Sequence, residues 1–484
     1  MSKGEKIEDG EVRLADPVRH DVPAGQLVGK LGGKSLLGQV MALALWPFLQ
    51  NLMGVGVGFA DMVIAGRIPV EDAKAIFDMM GASMYLVWLL MILQGAMGTG
   101  AMALVSRSTG ARDMKSANLA LGQSLLLGVV SGLVSAAMLW LLTPPLGGFF
   151  NLSASARVYL QDYMNMAAIM APFSGVLFVA SSALRAYGDT RTPFWAMLFV
   201  NLVNFGLSLV FVFSFDMGVT GLALGTVMGW AGGAVLILWF LRPGSRLRRE
   251  AGDAIPLELR LGNLRYDAPM LRRIWTVSWP SIFEIMGMWS VHAVGLYFIG
   301  KLQQGATGAH AMVIRLESMS FMPGFALGMA ASTLAGQYLG AKNPEMAKKA
   351  VRFCWLIAVI AMGTTGLLVA IFNREFLSLF GNVDPEQLQM AGPVIQVVGC
   401  MQILNATMMV MKMSMRGVGD TRTVTLYSFC SMGLIRVGAL WLLMTYFESV
   451  SLMMIWFVMM TDVACQAAIF LRLHFKGHWL DKRV

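Results

Sequence analysis

Arg185-Ala-Tyr-Gly-Asp-Thr-Arg-Thr192 returns as Arg416-Gly-Val-Gly-Asp-Thr-Arg-Thr423, with six of eight positions identical. The copies lie 231 residues apart in a chain of 484. Each follows one long apolar run and precedes another, so each is a short polar turn between two apolar segments. Other landmarks repeat at nearly the same offset. Trp46-Pro47 and Trp279-Pro280 are 233 apart, and Gly110-Ala111 and Gly340-Ala341 are 230 apart. Landmarks that recur in one order mark an internal duplication. The chain therefore divides into homologous lobes at 35–241 and 274–474. A basic linker, 242–273, joins them, with tails at 1–34 and 475–484.

Composition gives the class. The chain is 57% hydrophobic and 13% charged, against about 45–50% and about 25% for a soluble domain. A bilayer core about 30 Å thick takes about 20 apolar residues as a helix, and lipid offers no partners to free backbone groups, so the spans must be helical. Apolar runs fall at 35–65, 76–105, 117–142, 159–184, 192–214 and 218–241. They fall again at 274–300, 308–338, 349–372, 388–415, 422–446 and 449–474. The expectation is an all-α integral membrane protein with 12 transmembrane helices as two six-helix lobes. Pro47, Pro172, Pro280, Pro323 and Pro393 are expected to bend them. Residues 1–34 read as a loosely ordered tail without a signal peptide's apolar core. The four Cys lie in apolar runs and form no CxxC pair, so neither a disulfide nor a metal site is expected.

Basic residues orient the spans. With the N-terminus inside, 29 of the 37 Lys and Arg fall in inward segments and 5 in outward ones, while Arg315, Lys412 and Arg436 fall within spans. Both termini are expected on the cytoplasmic side of a cell inner membrane. The net charge of +9 is spread over every inward loop, which excludes nucleic acid as a partner. An even number of spans per half lets both lobes enter the membrane in one direction, with a site between or within them.

Several stretches carry a family resemblance: Phe59-Ala-Asp-Met-Val-Ile-Ala-Gly-Arg67, Gly100–Ala111, the two repeat turns, Asn204, and Gly328–Ala341. Together and in this order they resemble the multidrug and toxic compound extrusion (MATE) family. The resemblance implies a V-shaped pair of six-helix lobes. It also implies export of organic, often cationic, compounds in exchange for H⁺ or Na⁺, with no other cofactor. The partners expected are organic small molecules and the bilayer; a monomer is expected.

Ionisable residues inside spans are functional candidates. Asp61 lies three turns after Gln50 on nearly the same face, and the resemblance makes it a cation or proton site. The other reading is an interfacial Asp capped by solvent. Asn201, Asn204 and Ser208 share one helix face. Asn204 matches a family residue of that site, and Ser208 stands where some relatives carry a second Asp. The alternative for the Asn pair is interhelical hydrogen bonding. Glu284, one turn after Pro280, matches a family acid, and Asn405 replaces a family Asp. His292 and Gln402 join the candidates for a substrate cavity, with Gln50, Asn201 and Ser208.

The remaining charges need partners. Arg436 is expected to pair with Glu284 or Glu317, Lys412 to reach the inner surface, and Asp462 to have no clear partner. Met-rich patches near 408–415 and 453–460 read more readily as lipid-facing than as a substrate surface. No nucleophile–base or metal-ligand motif points to an enzyme. The rival reading is a flippase or exporter of a lipid-linked or other specific metabolite, which would need a basic central cavity.

Overall fold

The computed structural model describes residues 25–27, 29–65, 67–68, 73–149, 152–244, 256–303, 305–378 and 385–482. The first lobe comprises α1 (Leu36–Ala65), α2 (Ala73–Gly110), α3 (Met114–Phe149), α4 (Ala154–Tyr187), α5 (Arg191–Leu209, continued by the π turn Val210–Ser214) and α6 (Gly218–Leu241). The second comprises α7 (Ala268–Gly300), α8 (Ala306–Gly340), α9 (Pro344–Ile371), α10 (Pro385–Cys400), α11 (Gln402–Gly417), α12 (Thr421–Cys430, continued through the π turn Ser431–Val437 and Gly438–Tyr446) and α13 (Leu452–Lys476). A short helix, Asn373–Ser378, precedes α10. α10 and α11 meet at a bend of 52° and are apolar enough, taken together, for one broken span. The break is at Met401, not at Pro393, which sits inside a continuous helix.

Among the described residues nine helices are long and apolar enough to cross a bilayer, or ten with the bent pair counted as one. α2 and α8 are the second helix of each lobe. They are 38 and 35 residues long, and they pack on one another at the centre of the molecule. A helix enclosed by other helices needs small residues for close approach rather than a lipid-facing belt. Gly110 and Gly340 show this: a Cβ on Gly110 would collide with the Gln337 carbonyl, and one on Gly340 with the Arg107 carbonyl.

The duplicated turns have one geometry. Gly188 and Gly419 adopt φ of 103° and 90°, a left-handed conformation that ends a helix at little cost only for glycine. The amides of Asp189 and Asp420 then reach back to the Leu184 and Met415 carbonyls at 2.8 and 3.0 Å. Their side chains accept from the Thr192 and Thr423 hydroxyls at 2.8 and 2.7 Å, fixing the start of the next helix.

The lobes are knitted together at the end that carries these turns, the basic end. Leu27 and Leu31, with Val40 and Leu43 of α1, pack into a core formed by α8, α9, α11, Phe470 and Trp479. Met270 and Ile274 of α7 pack reciprocally into the core of α2, α3 and α4. Hydrogen bonds follow the same seam: Tyr338 donates to Gln39 at 2.8 Å, Gln337 to the Ala186 carbonyl at 2.7 Å and Asn343 to the Gly25 carbonyl at 2.9 Å. At the opposite end each lobe keeps a core of its own, around Met79 and Met164 in one and around Ile395 and Trp456 in the other. The cleft between the lobes therefore opens away from the basic end. Residues 25–27 and 29–34 correct the expectation of a loose tail, because Leu27 and Leu31 bury their side chains at the seam.

Candidate ion and substrate site

Three helices of the first lobe converge on Asp61. It lies one turn before the end of α1 and is half-buried. Asn204 of α5 offers its amide to the Asp61 carboxylate at 3.4 Å. The Asn204 carbonyl oxygen is held by two hydroxyls, Ser208 and Thr226, each at 3.1 Å. Both hydroxyls also contact the Leu222 carbonyl, so their rotamers are fixed. An Asn whose oxygen is saturated by donors can present only its NH₂ group outwards, which aims a donor at Asp61. Tyr163 of α4 bonds to Thr226 and completes the wall. Thr226 and Tyr163 escaped the sequence analysis, because a Thr in a Gly-rich run and a Tyr near a span end carry no signal of their own. Asn201 is half-buried one turn from Asn204.

Gln50 belongs elsewhere. Arg185, the first residue of the repeat turn, donates to the Gln50 side chain at 3.0 Å. The helical phase of Gln50 relative to Asp61 was sound, but a guanidinium from α4 claims the amide first.

The second lobe has a different charge arrangement. Glu284 sits at the middle of α7, 2% exposed. Lys412 lies 2.6 Å from one carboxylate oxygen and Arg416 2.6 Å from the other, while Ser428 donates at 3.0 Å. Arg416 thus reaches its own lobe's first helix, as Arg185 does, but meets an acid rather than an amide. Lys412 does not extend to the surface but stays buried on the Glu284 carboxylate. It also approaches Gln466 at 3.4 Å. Gln466 donates to Asp462 at 3.1 Å, and Asp462 pairs with Arg436 at 2.8 Å and accepts from Ser431. Asp462 therefore has partners, and Arg436 goes to it rather than to Glu284 or Glu317. The sequence could not show this, since α12 and α13 meet only in three dimensions.

Glu284 and Asn405, which the resemblance groups together, make separate contacts. Asn405 donates to Glu317 of α8 at 3.1 Å, and Gln402 bonds to the same carboxylate. His292 lines a small cavity with His310 and Arg436; the His310 ring rests 5.3 Å from that of Trp456. Met409, Met411, Met415, Met459 and Met460 are core residues and not the lipid-facing surface their sequence suggests.

Comparison with known proteins agrees with this architecture. The MatE family model matches twice, at residues 47–210 and 280–442, one match per lobe. The chain is 23% identical over 454 residues to a probable multidrug resistance protein NorM of Thermotoga maritima, covering 92% of this chain and 94% of that one. It is 24% identical over 417 residues to the multidrug resistance protein PmpM of Pseudomonas aeruginosa, covering 85% of each. Among solved structures, an outward-facing multidrug resistance MATE family transporter of the MOP superfamily superposes with a TM-score of 0.82 at 16% identity, over 93% of this chain and 98% of that one. Two matched lobes, a duplicated helical membrane body and relatives that span nearly its whole length lead to one conclusion: the chain belongs to the MatE family and is a multi-pass MATE family transporter.

Proposed function

We propose that the protein is a secondary active multidrug exporter that exchanges organic, often cationic, compounds for H⁺ or Na⁺ by alternating access. The observation that carries this reading is the Asp61 constellation. A half-buried carboxyl faces one amide donor, Asn204, whose orientation is locked by Ser208 and Thr226. A carboxyl in a partly dry pocket is costly to leave ionised and unpaired. It is relieved by a proton, a small cation or a cationic substrate, and these compete. Each then lowers the other's affinity, which is the coupling an antiporter requires.

The direction of transport follows from placing the basic end in the cytoplasm, as the charge bias favours. In the conformation described, the cleft faces outwards. A cation taken up at Asp61 there would expel the bound drug. Its release at the inner face would restore the negative site for the next substrate. One charge moving through 100 mV is worth about 2.3 kcal/mol, roughly a 50-fold gradient.

The rival reading, a flippase or metabolite exporter, needs a basic cavity. Three cations of the second lobe speak against it: Lys412 and Arg416 are spent on Glu284, and Arg436 on Asp462. The test is efflux of a cationic dye in everted vesicles, driven first by a pH step and then by a Na⁺ step. Wild type should respond to at least one step, and Asp61→Asn to neither while remaining folded in the membrane. Undiminished transport by that variant would refute the assignment.

A further inference from the structure

The linker between the lobes carries a surface that the transport reading does not use. Among the described residues, Leu261 and Tyr266 are the most exposed large apolar side chains, at 86% and 78%. Both lie between α6 and α7, outside the helices whose apolar faces meet lipid tails. Their backbone is nonetheless fixed. Gln123 of α3 donates to the carbonyls of Asn263 and Arg265 at 2.8 and 2.7 Å and accepts from the Asp267 amide at 3.1 Å. Asn118 accepts from the Glu258 amide at 2.8 Å. Leu257 is wholly buried, and a Cβ on Gly122 would strike the Asn263 carbonyl. The segment is bolted to α3, so its two exposed apolar side chains are a fixed feature of the surface.

The neighbouring helix sets the depth of this segment. The Leu259 amide bonds to the Leu241 carbonyl at 2.8 Å, two residues beyond Trp239. Trp239 and, on α7, Trp275 and Trp279 are exposed, and exposed Trp near span ends marks the boundary between hydrocarbon and headgroups. The Arg242 guanidinium lies 4.7 Å from the centre of the Trp239 ring. The linker therefore runs at headgroup level. Its outward charge has one sign: Arg260, Arg265 and Arg272 are exposed. The two acids are turned to internal work. Asp267 caps α7 by accepting from the Met270 amide at 2.8 Å. Glu258 lies 3.4 Å from Arg260, a long contact that takes up one of that guanidinium's five donors. Apolar side chains beside arginines that reach phosphates are the chemistry of a segment bound to an acidic bilayer surface. A bilayer surface without net charge would cover the apolar pair but would not attract the arginines.

We propose that the linker face of Arg260, Leu261, Arg265 and Tyr266 docks onto acidic phospholipids of the leaflet at the basic end. Leu261 and Tyr266 enter the boundary between headgroups and acyl chains, and Arg260 and Arg265 hold phosphate oxygens through paired N–H groups. The same stretch leads directly into α7, where Met270 and Ile274 pack into the core of the other lobe. Lipid bound here therefore steadies the seam in the conformation described. The surface is independent of Asp61 and of the compound exported.

Native mass spectrometry of the full-length protein, released from micelles holding equal amounts of phosphatidylglycerol and phosphatidylcholine, tests this. Phosphatidylglycerol should be retained severalfold over phosphatidylcholine. That preference should largely disappear in the double variant Arg260→Ser/Arg265→Ser. It should persist in Lys342→Asn/Lys349→Asn, which removes two exposed lysines at the α8–α9 junction of the same end. No loss in the first variant, or an equal loss in both, overturns the proposal. A nitroxide on Gly262→Cys, where a Cβ meets no atom within 4 Å, reads depth once the four native cysteines are replaced by alanine. In vesicles containing phosphatidylglycerol it should be more accessible to oxygen than to a water-soluble nickel complex. In vesicles of phosphatidylcholine alone it should shift towards the nickel complex. Equal nickel accessibility in the two kinds of vesicle overturns the proposal as well. Neither measurement involves transport, so failure would leave the exporter reading untouched.

Discussion

The ammonium of Lys30 lies 2.7 Å from the carboxylate of Asp189, and that of Lys482 lies 2.9 Å from Asp420. Each copy of the duplicated turn is therefore clamped by a lysine, and the two lysines come from opposite ends of the chain. Neither lysine is part of the repeat. The duplication supplied two equivalent acids, and the two terminal segments each supplied a cation.

Asp189→Asn is expected to destabilise the protein by about 1–3 kcal/mol, the cost of weakening a buried charge-assisted pair. Burial alone would push the Asp189 carboxyl up, but Lys30 and the Thr192 bonds outweigh it and hold it below the ordinary range. A carboxyl depressed on folding contributes stability above its unfolded value of about 3.9, and loses it as pH falls through the folded value. The gap in thermal midpoint between wild type and variant should thus be constant near neutral pH and close only in acid, below about pH 4. A gap that closes between pH 6 and 8 would contradict this.

Removing Glu284 should be worse than removing Lys412. Glu284→Gln leaves Lys412 and Arg416 facing each other in a buried site, with an expected loss of about 3–5 kcal/mol. Lys412→Met leaves the Arg416–Glu284 pair intact, and its loss should be about half as large. Chemical unfolding of the two variants in detergent compares them directly; equal losses would mean that Lys412 is the essential cation.

Arg436→Met strands Asp462 among α12 and α13 and is expected to cost about 3–5 kcal/mol. Pairing it with Asp462→Leu should restore much of that loss. A double-mutant cycle reads the coupling, and a value near zero would show that the pair is not formed in the bilayer.

Gly110→Ala places a methyl group against the Gln337 carbonyl. The substitution should push α2 and α8 apart and disfavour the conformation described here. Distances between spin labels across the basic end should lengthen in Gly110→Ala. They should stay unchanged in Gly433→Ala, where a Cβ meets no atom within 4 Å.

Much of this fold could be read from the chain because membrane helices write themselves as apolar runs. The run at 218–241 became α6 at Gly218–Leu241, and the run at 388–415 became the bent pair α10–α11. The bend itself was hidden, since Met401 carries no breaker signal. The first-lobe candidate site is legible as far as the Asp61–Asn204 contact, because both stand out as polar residues in apolar surroundings. The second-lobe site was misassembled. Spacing along one helix says which residues share a face, but not which neighbouring helix that face meets. The sequence therefore does not show that α11 brings Lys412 and Arg416 to Glu284, nor that Asn405 and Gln402 stand beside Glu317 rather than Arg436.

The exchange of helix ends at the seam has a mechanical consequence. The stretch of α1 packed on the far lobe runs from Leu36 to Phe48, and the corresponding stretch of α7 from Met270 to Ile282. Pro47 and Pro280 lie near the end of each stretch, each inside a continuous helix. A proline removes one rung of the helical ladder and makes flexure there less costly. The two bodies are thus not a hinged pair resting edge to edge. They are joined by crossed struts, each anchored in the opposite body and notched near the end of its anchor. Parting them at the basic end means either pulling both anchors out of their sockets or flexing both struts at the notch, and flexing sacrifices less buried surface.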